Sequence, residues 1–152
     1  MHRAVMQHAA AADAVVMAAA VADYTPATVA GQKIAKAEGG LSLPLVRTTD
    51  ILAELGRLPS RKDGRPVLIG FAAETMDVLP HAEAKRRRKG VDLIVANDVS
   101  RADAGFEVDT NQVTFVDDRG LEPLPLLAKA EVATRIVDRL EALLGAGAAV
   151  RA

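Results

Sequence analysis

The sequence predicts a three-layer, Rossmann-like α/β sandwich with a mostly parallel sheet and a small β flap or hairpin. Two observations carry that expectation. Short, nearly continuous apolar runs recur along the chain, as strands buried on both faces require, and segments of helical spacing separate them. Aromatic residues amount to only 3%, namely Tyr24, Phe71, Phe106 and Phe115. The core must then be built from Ala, Val, Leu and Ile, which favours helices packed closely on a parallel sheet.

Met1 to Ala12 reads as an Ala-rich helix with no capping residue at its start, an unusual opening for an α/β domain. Ala14-Val15-Val16-Met17-Ala18-Ala19 is the first buried strand, and Asp23-Tyr24-Thr25-Pro26 breaks it with loop chemistry. The stretch from Gly31 to Gly40 is polar and basic. Leu41, Leu43 and Leu45 then alternate with Ser42 and Pro44, the pattern of a half-buried strand. Pro44 cannot donate to a ladder, so an edge strand is expected. Thr48 or Thr49 is positioned to cap a helix beginning at about Asp50. Pro66 to Phe71 is the second buried strand and Val91 to Ala96 the third. Between them a helix from about Val78 to Lys89 tolerates Pro80 in its first turn and stops at Gly90. Asn97-Asp98 opens a polar loop running to Asn111. Val113 to Val116, a turn over Asp117 to Gly120, and Leu121 to Leu124 form a hairpin. A last helix, roughly Ala128 to Leu144, carries Val132, Ile136, Leu140 and Leu143 at helical spacing. One domain over 1–144 is expected, with a flexible Gly/Ala-rich tail over 145–152.

The chain has 152 residues, with 19 Lys and Arg against 20 Asp and Glu, for a formal net charge of −1. A nucleic-acid or membrane-surface binder would show a strongly basic footprint, and neither partner is expected. The absence of Cys removes disulfides, thiol nucleophiles and Cys-ligated zinc, and suits a cytoplasmic protein. No apolar run reaches membrane-span length. His2, His8 and His81 show no metal-ligand spacing, no triad pattern surrounds Ser100, and no Gly-x-Gly-x-x-Gly or P-loop follows a strand.

In an open parallel sheet, ligands bind beyond the carboxyl ends of the strands. Ala20 to Tyr24, Ala72 to Thr75 and Asn97 to Ser100 lie at that edge, each pairing small residues with polar ones. Asp23, Glu74 and Asp98 each follow a buried strand there. Three such carboxylates suit a Mg²⁺ ion or the donors of a nucleotide, and each taken singly suits an ordinary loop or cap residue. The cations concentrate at Lys33 with Lys36 and in the run Lys85 to Lys89. Lys85 and Lys89 are one helical turn apart and share a face, so both can reach one polyanion. The competing reading is a solvated run that complements the helix dipole.

Seven segments now fall in a specific order. They are Ala18 to Tyr24 (AAAVADY), Lys33 to Lys36 (KIAK), Thr49-Asp50-Ile51, Gly70 to Thr75 (GFAAET), Lys85 with Lys89, Ala96 to Ser100 (ANDVS), and Phe106 with Asp109 and Asn111. Together they resemble the phosphopantothenate–cysteine ligase (phosphopantothenoylcysteine synthetase) family, often the second half of a bifunctional coenzyme A biosynthesis protein. The likeness runs from about residue 1 to 140. The family begins with a further strand, a Gly-rich loop and a helix that have no counterpart here, so the chain is expected to be truncated and poorly active alone. The family's Asn-Pro-Asp-Ile stands here as Thr48-Thr49-Asp50-Ile51, and its Lys-Ile-Lys-Lys as Lys33-Ile34-Ala35-Lys36, so altered contacts are expected rather than lost binding.

The resemblance implies that the carboxylate of 4′-phosphopantothenate is activated by CTP to an acyl-cytidylate, with release of pyrophosphate. The amine of L-cysteine then attacks and CMP leaves. Such chemistry asks for cations on the triphosphate, for Mg²⁺, and for a donor at the developing oxyanion, while the substrate amine supplies the nucleophile. By similarity, Asp23, Lys33, Thr48, Thr49, Asp50, Ile51, Phe71, Lys85 and Lys89 bind CTP. Lys33 acts on the reacting charge, and Ala19 lines the intermediate's pocket. No metal ligand is assigned. FMN belongs only to a fused decarboxylase domain outside this chain. The family dimerises through strands like those around Leu41 to Val46, matching the uncovered edge read above. A Rossmann-type nicotinamide oxidoreductase fragment and a non-catalytic dimerisation fragment are the alternatives.

Overall fold

The computed structural model describes residues 1–35, 39–74, 78–98 and 108–149. Lys36, Thr75, Ser100 and Phe106, all singled out above, lie outside the described residues, as do the side chains of Glu74 and Asp98. Internal contacts divide the chain into two units, Met1–Ala18 with Ile51–Ala152, and Ala19–Asp50.

In the larger unit, strands β1 (Ala14–Met17), β4 (Val67–Glu74), β5 (Leu93–Asp98), β7 (Val113–Asp117) and β8 (Gly120–Pro123) form one sheet in the order β1-β4-β5-β7-β8. The first three run parallel, and the β7–β8 hairpin joins β5 antiparallel. Side-chain alternation divides the core into two layers. Leu68 and Ala72 of β4, Ile94 and Ala96 of β5 and Val116 of β7 pack against one set of helices. That set comprises α1 (His2–Ala9), α2 (Ile51–Leu55) and α3 (Val78–Lys89), which contribute Ala9, Ile51, Leu52, Leu55 and Ala82. On the other face, Ile69, Leu93, Val95, Val113 and Phe115 meet Val132 and Ile136 of α4 (Lys129–Ala149). Period-two strands between period-3.6 helices thus build the three layers expected.

Close approaches at two glycines set the helices on the sheet. A Cβ at Gly70 would stand 2.5 Å from Cδ2 of Leu52, so the bare strand position lets α2 seat directly on β4. A Cβ at Gly56 would fall 1.8 Å from the Lys89 carbonyl oxygen. The turn after α2 therefore packs backbone to backbone against the end of α3, and so locates the basic run. At the same end of the sheet Arg61, in a 3-10 turn (Pro59–Asp63), donates to the Pro66 carbonyl at 2.6 Å, to the Gly90 carbonyl at 3.1 Å and to Asp92 Oδ1 at 2.9 Å. Asp92 in turn accepts the Leu68 N–H at 2.7 Å, stitching β4 to the entry of β5.

Several boundaries differ from the sequence reading. Helix α1 stops at Ala9 rather than Ala12. Strands β4 and β5 continue to Glu74 and Asp98 because those ends pair with each other, Glu74 opposite Asp98. The expected polar loop ends in a short strand, β6 (Thr110–Asn111), paired with β9 (Leu127–Ala128). Helix α4 runs on to Ala149, so the expected flexible tail is helical over 145–149, and 150–152 lie outside the described residues. Its Ala-rich composition sustains the helix beyond the last core contact.

The smaller unit, Ala19–Asp50, holds a two-stranded antiparallel sheet of β2 (Tyr24–Pro26) and β3 (Leu45–Arg47), with Tyr24 opposite Arg47 and Pro26 opposite Leu45. Tyr24 to Pro26, read as a loop, is therefore a strand. The strand expected over Leu41 to Leu45 starts only at Leu45. Pro44 has no N–H to give, and its carbonyl instead accepts the Ala27 N–H at 2.9 Å. Among the described residues no helix is long and apolar enough to cross a membrane.

Candidate functional site

Parallel strands bring the carboxyl ends of β1, β4 and β5 to one edge of the larger unit, and two of the expected nucleotide-binding residues, Phe71 and Lys85, lie towards it. Phe71 lies near the end of β4, half-buried, with its ring packed against the α4-side core. Lys85 approaches from α3 on the opposite face and donates from Nζ to the Phe71 carbonyl oxygen at 2.9 Å. Lys89 follows one turn later, half-buried. Ile51 is also in this unit, but its side chain is core, only 4% exposed. Whatever it offers a ligand must come from its main chain.

The basic run on α3 resolves into two kinds of cation. Arg86 and Arg87 both donate to Glu83, from Nε at 3.1 Å and 2.6 Å. The Arg86 hydrogen bond is the main cause holding the Glu83 carboxyl below its ordinary pKa, helped by Arg87 and opposed by desolvation. Those two arginines are local helix partners. Lys85 is directed instead over the sheet edge, where a half-buried ammonium is held in place by a charge-assisted hydrogen bond.

In the smaller unit, Asp23 and Thr48 are brought together at the base of the β2–β3 pair. The Thr48 N–H donates to the Asp23 carbonyl at 2.9 Å, and the Thr48 hydroxyl to the Ala22 carbonyl at 2.6 Å. That hydroxyl is therefore spent on the hairpin and does not cap α2, contrary to one of the two capping choices above. Ala19, Asp23, Lys33, Thr49 and Asp50 are exposed. Among the described residues no group of three or more His, Asp or Glu side chains is placed to hold a metal ion.

Two polar positions were named in the sequence reading without a role of their own. Asn97, at the end of β5, and Asn111, in β6, keep side-chain oxygens that are shielded from water and unpaired among the described residues. Their signal was available: an amide at the next inward-facing position after Leu93 and Val95, and another two residues before Val113.

Residues 1–144 match the family described as the DNA/pantothenate metabolism flavoprotein C-terminal domain. The chain belongs to that family. It is 46% identical over 144 residues to the coenzyme A biosynthesis bifunctional protein CoaBC of Bacillus subtilis, covering 94% of this chain and 34% of that protein. Against the CoaBC protein of Mycobacterium bovis it is 45% identical over 153 residues, covering 93% and 35%. The crystal structure of a C-terminal domain of CoaBC superposes with a TM-score of 0.73 at 38% identity, covering 95% of this chain and 61% of that one. This member of the family thus spans about a third of the length of the curated relatives it matches. The likeness extends to the fold, a mixed α/β arrangement with a central, largely parallel sheet flanked by helices and a small antiparallel hairpin.

Proposed function

We propose that this chain provides ligase-domain residues for the CTP-dependent joining of L-cysteine to 4′-phosphopantothenate in coenzyme A biosynthesis. The observation that carries the reading is the sorting of cations on α3: Arg86 and Arg87 turn to Glu83, while Lys85 is held over the carboxyl edge at Phe71. A triphosphate needs fixed positive charge at that edge of an α/β sheet. Family membership and the CoaBC relatives support it. They lend no support to the nicotinamide oxidoreductase alternative.

In this reading Lys85 and Lys89 take the phosphates. Asp23, Thr48 to Ile51 and Phe71 contribute to the nucleotide site. Lys33 follows negative charge as it moves from carboxylate to acyl-phosphate, and Ala19 keeps room for the intermediate by being small. Mg²⁺ enters with the nucleotide, neutralising its phosphates, and needs only one or two carboxylates from protein. The exposed Asp23 carboxylate fits that role. No side chain needs to act as nucleophile, because the cysteine amine is one. The reading carries a cytoplasmic location with it.

The test is a pair of measurements. The chain should be stabilised against heat by Mg-CTP and not by NADP, and a protein of the relatives' full length should release pyrophosphate only with CTP and phosphopantothenate present. Stabilisation by NADP alone, or release without phosphopantothenate, would overturn the proposal. A homodimer is part of the same reading, since Leu41, Leu43 and Leu45 are 73%, 51% and 54% exposed in the smaller unit. Sedimentation should give a dimer that Leu43→Asp weakens; a monomer at every concentration would remove it.

A further inference from the structure

Asn97 and Asn111, whose amide oxygens are unpaired among the described residues, lie on one face of the fold. Asn97 stands opposite Val113 in the β5–β7 ladder, and Val113 is buried in the α4-side core. Directly opposed residues share a face of a sheet, so Asn97 is on the α4 side. Asn111 is two residues before Val113 and stands opposite Leu127, which packs into the same core. The Phe71 ring, one strand over on β4, joins that core too. Buried acceptors are normally satisfied, and two left without a partner among the described residues on one face carry a cost. By register Asn111 is the diagonal neighbour of Asn97, two residues from its partner Val113 and about 7–8 Å away, beside apolar walls towards the end of β5.

Two neutral acceptors suit a ligand group with two donor hydrogens and no need of a counter-charge. A neutral primary amine is such a group: each oxygen takes one N–H and the lone pair stays free. A carboxylate in the same place would favour the ammonium form, which has no lone pair to attack with. We infer that Asn97 and Asn111 form the subsite for the attacking amino group of the amino-acid substrate. Its short thiol side chain then rests against Phe71 and Leu127, since sulfur packs well on an aromatic ring. This inference rests on the ligase reading above.

In the step served, the amine nitrogen bonds to the acyl carbon as the carbon–oxygen bond to the nucleotide phosphate breaks. The nucleoside monophosphate departs with that electron pair, and the surplus proton of the amine passes to water. The asparagines exchange no proton. They fix where the lone pair points.

Steady-state kinetics on a protein of the relatives' full length test this with CTP, phosphopantothenate and cysteine. Asn111→Ala should raise KM for cysteine about tenfold, the loss of one hydrogen bond to an uncharged partner, and leave KM for CTP where it was. Asn111→Asp should shift the pH profile of amide formation upward, because its carboxylate holds the amine protonated. Equal increases in both KM values would assign the pair to the nucleotide subsite and overturn the inference, as would no change in either. Should Asn111→Ala fail to fold by circular dichroism, Asn97→Ser carries the same expectation and the same refutation. A wild type that releases no pyrophosphate with CTP would remove the ligase reading and the subsite with it, a result that needs no variant to be recognised.

Discussion

Replacing Arg139 by methionine should cost this fold a large share of its stability, through one buried charge on the β7–β8 hairpin. Arg139 projects from α4 and donates from Nη1 to Asp117 and from Nη2 to Glu122. Its guanidinium carbon lies 5.6 Å from the centre of the Phe115 ring. Asp117 is only 3% exposed, so Arg139→Met leaves a buried carboxylate without its counter-charge. Breaking a buried pair from one side costs about 3–5 kcal/mol. Asp117 would keep the Arg119 N–H at 2.9 Å, which places the expected loss towards the lower end. Glu122, 53% exposed at its side chain, adds little, below about 1 kcal/mol. The cation over the ring adds about 0.5–1 kcal/mol. The expected total is about 3–4 kcal/mol, against a typical domain stability of about 5–15 kcal/mol. Urea unfolding followed by circular dichroism reads it as a lower midpoint with an unchanged slope. Adding Asp117→Asn to the same chain should restore part of the loss, because the uncompensated charge goes. A loss below about 1 kcal/mol, or a double variant no more stable than Arg139→Met, would refute the reasoning.

Lys33→Gln in a protein of the relatives' full length should lower turnover about a hundredfold, roughly 3 kcal/mol of transition-state stabilisation. It should leave the melting temperature unchanged, since the side chain is exposed; wild-type turnover would take Lys33 out of the site. Gly56→Ala cannot be accommodated 1.8 Å from the Lys89 carbonyl, so α3 must shift, at about 1–3 kcal/mol measured by urea unfolding. Mg-CTP binding should weaken with it, because Lys85 and Lys89 ride on that helix. Glu83, whose carboxyl sits below its ordinary pKa mainly through Arg86, stabilises the fold above its unfolded-state pKa and loses that contribution as pH falls through the lowered folded value. Stability measured against pH should therefore show Glu83→Gln losing below about 1 kcal/mol at neutral pH, with the gap to wild type closing at strongly acid pH.

Much of the architecture could be read without coordinates because burial writes itself into residue order. Leu93 to Ala96 is apolar without interruption because both faces of β5 are covered, and Val132, Ile136 and Leu140 recur at helical spacing because one stripe of α4 meets the sheet. The motifs around Phe71 and Lys85 were legible for a related reason: at the end of a strand the chain needs small residues for close packing and polar ones for what binds there. Two kinds of fact needed three dimensions. Tyr24 to Pro26 becomes a strand only because Leu45 to Arg47 folds back beside it, and a three-residue stretch has no period to announce that. The basic run Lys85 to Lys89 looks uniform as a string, yet helix geometry turns Arg86 and Arg87 onto Glu83 and sends Lys85 to the Phe71 carbonyl. Likewise, Asn97 and Asn111 are two polar residues fourteen positions apart (111 − 97) in the sequence, and the β5–β7 and β6–β9 pairings place them on one face. Composition and periodicity determine which surfaces must be buried, since water imposes that residue by residue. Which charge meets which partner depends on distances between segments remote in the chain, and those are set when the layers pack.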